Sequence, residues 1–205
     1  MEQYLHHDIV FNIVRFLDMT DCLNFFVTTK LLIPIKGIMY NKITYNDDKI
    51  QNDEIKKHIV NLRKSDISNL AIYHNLRMLK IVNTNFNQPL ESLPTKLTEL
   101  HIYINNFNQK LENLPYSLTN LIIKSHCFDH SLDHLPSNLH SLSIGGKFDQ
   151  PLDNLPKTLH SLTINSPNFD QSIDNLPESL QILSLQHCYN FDQNLNTLPC
   201  GLIEL

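Results

Sequence analysis

The chain has 205 residues, 41% of them apolar and 18% charged, with a formal net charge of −5. That balance suits a folded, soluble protein of one or two domains and gives no basic footprint for nucleic acid. No apolar run reaches the roughly 18 residues of a membrane span, and the first residues lack a signal peptide's basic region and apolar core.

Four cysteines (Cys22, Cys127, Cys188 and Cys200) lie far apart with no Cys-x-x-Cys pair. They form no disulfide framework, so reduced thiols in an intracellular setting, cytoplasmic or nuclear, are expected.

Residues 1–40 read as a small helical head. Ile9, Val10, Ile13, Val14, Phe16 and Leu17 recur at helical spacing, with Asp8 placed to cap. A turn at Asp18-Met19-Thr20-Asp21 leads into a second apolar run, Leu23, Phe25, Phe26 and Val27. Helices this short cannot bury a core by themselves, so the head needs either the rest of the chain or a partner.

Residues 41–82 read as a linker and an amino-terminal cap with degenerate repeats. Ile55, Ile59 and Leu62 predict one side of a short helix. Ile67, Leu70 and Ile72, then Leu76, Leu79 and Ile81, show the spacing of strands.

Residues 83–205 repeat one unit six times, the last copy truncated. A Phe is followed by a Pro eight residues later at Phe86/Pro94, Phe107/Pro115, Phe128/Pro136, Phe148/Pro156, Phe169/Pro177 and Phe191/Pro199, with a period of 20 to 22 residues. Leucines follow each Pro at three and six residues, as at Leu159 and Leu162. A strict period of this length predicts a solenoid, an α/β stack with one strand per copy in a parallel six-stranded sheet. Leu162 and Ile164 alternate toward the core, and Pro156 must lie outside the strand because it cannot donate to a ladder. Asp153-Asn154-Leu155-Pro156 suits the start of a short helical or 3₁₀ turn. One copy buries too little to fold alone, so the Phe and Leu columns must shield one another across copies.

The outward strand residues form an open face on which a protein target is expected. Tyr103, Ile122, Lys124, Thr163, Ile182 and Gln186 are its candidate contacts. Carboxylates recur at Asp129, Asp149, Asp170 and Asp192, and again at Glu91, Glu112, Asp133, Asp153 and Asp174. Like charges on successive copies must face solvent, cap amides or share a cation. Asn fills the same slots at Asn87, Asn108 and Asn196, which argues against calcium. The Gln column (Gln88, Gln109, Gln150, Gln171 and Gln193) suits hydrogen bonds between copies. His126, Cys127, His130 and His134 fit no standard zinc spacing. Neither a phosphate loop nor a nucleophile motif is present, so neither enzyme activity nor a cofactor is expected.

The head resembles an F-box at Leu5, Asp8, Ile9, Ile13, Phe16, Leu17, Asp18, Asp21, Leu23, Val27 and Lys30, with His6 in place of the pattern's Pro. The tail resembles the FNIP repeat family, which is similar to leucine-rich repeats, as at Phe86-Asn87-Gln88-Pro89-Leu90 and Phe148-Asp149-Gln150-Pro151-Leu152. This joint arrangement is similar to F-box/FNIP proteins of social amoebae and of large DNA viruses of amoebae. The resemblance implies a substrate receptor of an SCF-type ubiquitin ligase, acting in a host cell if viral. Leu5, Ile9, Ile13, Phe16, Leu17 and Leu23 would then grip a Skp-type adaptor linked to a cullin, and the repeats would grip an unidentified protein target. A repeat scaffold with no ligase link is the alternative, and neither reading involves nucleic acid or a membrane.

Overall fold

The computed structural model describes residues 44–46, 61–64, 67–82 and 85–204. Eight strands form one sheet in chain order: β1 (Thr44–Asn46), β2 (Asn61–Lys64), β3 (Met78–Ile81), β4 (Glu99–Tyr103), β5 (Asn120–Lys124), β6 (Ser141–Gly145), β7 (Ser161–Asn165) and β8 (Ile182–Gln186). Every neighbouring pair is parallel and in register, so each turn of the chain adds one rung. The sixth FNIP-like copy contributes only an isolated bridge, Ile182 to Glu204.

Alternation within the strands builds the core. Leu62, Leu79, Leu100, Leu121, Leu142, Leu162 and Leu183 occupy matched inward positions and are all buried. Ile81, Ile102, Ile123 and Ile144 make a second buried column two residues on. Opposite the sheet, the phenylalanines stack from Phe86 to Phe191 with centroids 6.2, 6.2, 6.2, 6.1 and 5.9 Å apart.

That spacing fixes which way the stack bends. Parallel strands advance only about 4.8 Å per rung, roughly 1.3 Å less than the rings, and packed layers lie about 10 Å apart. Such a difference requires a rotation of about 7° per copy. Consecutive Phe rings are tilted by 4 to 11°, in agreement. The sheet therefore lies on the inside of the curve and the phenylalanines on the outside.

Polar ladders hold the outer side. The Oδ1 of Asn87 accepts the Asn108 amide N–H at 2.9 Å and the Gln109 Nε2 at 3.1 Å. Asp129 Oδ1 does the same for Asp149 N and Gln150 Nε2, Asp149 for Asp170 and Gln171, and Asp170 for Asp192 and Gln193. Only one acceptor oxygen is needed, which is why Asn and Asp interchange beside the Phe. Gln109, Gln150, Gln171 and Gln193 thus bond between copies, as the sequence pattern predicts.

Two donors on one carboxylate favour its charged form. The Asp192 amide and Gln193 hold the Asp170 carboxyl below the ordinary carboxylate range. Ser131 and Asn154 do so for Asp133, and Thr197 and Ser172 for Asp174. A carboxyl depressed on folding stabilises the protein fully above its unfolded pKa, about 3.9, and loses that contribution as pH falls through the folded value. Asp170→Asn keeps the acceptor but cannot titrate. Circular dichroism across an acid titration should place its unfolding midpoint at lower pH than wild type. An unchanged midpoint would mean that this rung contributes nothing to acid sensitivity.

Four expectations need correction. The fold class is β rather than α/β: among the described residues the single helical element is a 3₁₀ turn at Leu70–Ile72. The chain around each Pro makes turns and no helix: Asp153 and Asn154 lie in one, and the next, Pro156 to Leu159, is closed by the Leu159 N–H donating to the Pro156 carbonyl at 3.0 Å. With Phe, Leu and Pro all committed within 20 to 22 residues, no length remains for an α-helix.

Second, Leu62 lies on strand β2 and not in a helix, since Met78–Ile81 offers it an in-register partner that overrides the helical spacing. Third, residues 67–72 do not form a rung. Leu62 and Leu79 are adjacent in register yet only 17 residues apart, so this segment must be the connection. Its 3₁₀ turn buries Leu70, and Tyr73 follows into the core. Fourth, the sheet has eight strands where six are predicted. The predicted helical head, with Leu5, Ile9, Ile13, Phe16, Leu17 and Leu23, lies outside the described residues, as do Ile55 and Ile59.

Candidate protein-binding face

The concave side presents every second residue of β2 to β8. At the carboxyl ends of β4 to β8 these side chains surround an open groove of about 410 Å³. Four of the six predicted contacts line it: Tyr103, Lys124, Thr163 and Gln186. Ile122 and Ile182 share the sheet face but lie outside the groove, Ile122 in mid-strand and Ile182, 37% exposed, at the opposite end of its strand.

Sequence reasoning missed the residues that shape this groove. Asn105, Ser125, His126 and Gly146 reach it from the loops after the strands, beside Gly145 and Asn165 at strand ends, which strand alternation already places on the open face. The available signal was the length of the copies: Phe128 to Phe148 spans 20 residues where its neighbours span 21. The shortened loop draws Gly146 against the preceding copy at φ +120°, where its N–H donates to Asn165 O at 3.0 Å. Beside it, Gly145 puts no side chain on the face, and this opens the groove floor.

At the β4 end the face is cationic and aromatic. Lys80 Nζ sits 4.5 Å from the Tyr103 ring centre and Lys124 Nζ 5.4 Å on the adjacent strand. His101 meets the same ring edge-on at 6.2 Å. Burial pushes the His101 imidazole below its ordinary pKa; Glu99 opposes the shift and Lys80 adds to it. Its Nε2 stands 3.7 Å from Glu99, too far for a hydrogen bond. Neither that nitrogen nor Oδ1 of neighbouring Asn120 has a hydrogen-bond partner among the described residues, although both atoms are buried.

No group of three or more His, Cys, Asp or Glu among the described residues could hold a metal ion. The recurring carboxylates of the Phe-side ladder are occupied by amides instead. Likewise, no helix among them is long and apolar enough to cross a membrane.

Comparison with known proteins agrees with this architecture. The crystal structure of CroV588, described as a novel circular LRR protein structure, superimposes with a TM-score of 0.62 at 32% identity, over 74% of this chain and 24% of that one. This chain thus matches about a quarter of the length of that protein. No curated protein matches the sequence. The FNIP Repeat family model matches residues 86–126 and 128–167, and the same Phe, Pro and Leu rungs continue past them to Glu204. Residues 86–167 therefore match FNIP repeats, within a stack that forms a leucine-rich-repeat-like solenoid with its sheet on the concave side.

Proposed function

We propose that this chain is a protein-binding scaffold acting as a substrate receptor of an SCF-type ubiquitin ligase. The concave face holds the target, and the head at residues 1–40 engages a Skp-type adaptor through Leu5, Ile9, Ile13, Phe16, Leu17 and Leu23. The observation that carries the binding half is the open groove across the carboxyl ends of β4 to β8, lined by Tyr103, Lys124, Thr163 and Gln186. The F-box-like residue pattern supports the ligase half. In this reading the protein is not an enzyme, uses no cofactor and works in the cytoplasm or nucleus.

Affinity purification from expressing cells with mass spectrometry tests both halves. Wild type should recover adaptor and cullin subunits, and replacing Ile13 and Leu17 by Asp should remove them while leaving target proteins. Gly145→Leu should do the reverse, since it fills the groove at a position where a Cβ meets only ordinary contacts. Adaptor recovery undiminished by the head variant would rule out the ligase role.

A scaffold without a ligase link is the competing reading, favoured because the whole groove lies within the repeat stack, between Tyr103 and Gln186. It requires that deleting residues 1–35 leave both target binding and cellular effect intact.

A further inference from the structure

The concave face is chemically uneven along the stack. Register places Arg63, Lys80 and His101 at equivalent outward positions on β2, β3 and β4. Tyr103 and Lys124 are paired one step further along the strands. On the outward positions of β2 to β8 the one carboxylate is Glu99, and it leans toward His101. Lys80 and Lys124 have no carboxylate partner among the described residues. A chain of net charge −5 thus sets two lysines over one aromatic ring, with Arg63 on the strand beside Lys80.

That ring also preorganises them. An ammonium held over a Tyr face has already given up much of its side-chain freedom, so less is lost when an anion arrives. Beyond Lys124 the groove becomes neutral, with Gly145 as its open floor and the amides of Asn165 and Gln186 on its walls. From Arg63 on β2 to Gln186 on β8 the face crosses six strand spacings, about 29 Å, which an extended segment of about nine residues spans.

We propose that the groove takes an extended acidic polypeptide segment laid across the strands, with its carboxylates against Arg63, Lys80 and Lys124. Its main-chain amides then meet the side chains of Asn165 and Gln186. Three clustered cations and an overall negative charge suit a few carboxylates and not a nucleic-acid backbone, which demands a long basic track. This inference rests on the binding-scaffold reading and adds the chemistry of the partner.

Random linear peptides displayed on phage and selected against the full chain supply the probe. A selected peptide, made with a fluorescein label, is then titrated by anisotropy. Selected sequences should be enriched in Asp and Glu, and affinity should fall as salt rises. The double variant Lys80→Gln, Lys124→Gln should weaken binding about tenfold or more, and Gly145→Leu should block it, with circular dichroism verifying that both fold. Peptides blocked by Gly145→Leu but neutral or basic, or indifferent to salt and to the lysine variant, would overturn this inference and leave the scaffold reading standing. If no peptide is selected, or binding ignores Gly145→Leu, the groove is not the binding face and both readings fail.

Discussion

Replacing Phe128 by Ala should cost about 3–5 kcal/mol of stability, measured as a drop in the urea midpoint followed by circular dichroism. Phe128 is fully buried, and its ring is flanked on both sides, by Phe107 and Phe148 at 6.2 Å. Deleting it removes one ring's burial together with two stacking contacts, each contributing about 0.5–1.5 kcal/mol beyond area. The gap cannot close, because the strand ladder and the Asn and Asp bonds fix the distance between copies on either side. In a one-dimensional stack the loss also weakens both interfaces through which the copies support each other. Phe191→Ala is the internal control. That residue is only partly buried and stacks on Phe169, so its loss should be clearly smaller. Equal losses at the two positions would contradict the idea that the Phe column couples the copies.

Gly146→Ala should destabilise the protein by at least about 3 kcal/mol, combining backbone strain with a forced displacement. An added Cβ would lie 1.8 Å from the Ser125 carbonyl oxygen, and the residue sits at φ +120°, a region L side chains rarely adopt. The obstacle is backbone of the preceding copy, which cannot swing aside as a side chain would. Its neighbour gives the contrast. At Gly145 the same Cβ meets Asn165 O at 3.6 Å and Ile123 O at 3.9 Å, so Gly145→Ala should change stability by less than about 0.5 kcal/mol. Thermal melts of the two variants separate these cases, and a mild effect at Gly146 would show that the short loop can relax.

The Gly pair shows where sequence reading stops. Its position at the one copy shortened to 20 residues marks it as the place where the loop length varies. That Gly146 would press on Ser125 while Gly145 opens a groove follows only from the stacking of consecutive copies. Tyr103, Lys124, Thr163 and Gln186 were legible as outward residues because strand alternation is local. Their gathering at one end of the sheet, away from Ile122 and Ile182, was not, because it depends on how loops after different strands fold over them. Leu62 carries the same lesson, since its helical spacing was real but lost to a strand partner 17 residues along the chain.

The sequence by itself determined the repeating unit: its period, the buried Phe and Leu columns, the Pro that ends each turn, and the parallel ladder. Those features are periodic, and a period needs no knowledge of distant residues. Tertiary structure alone decided how many rungs the sheet has, that its face is concave, and where the cations meet the groove. These depend on register between strands and on a difference of about an ångström between the advance of rings and of strands per copy, quantities that only stacked copies define.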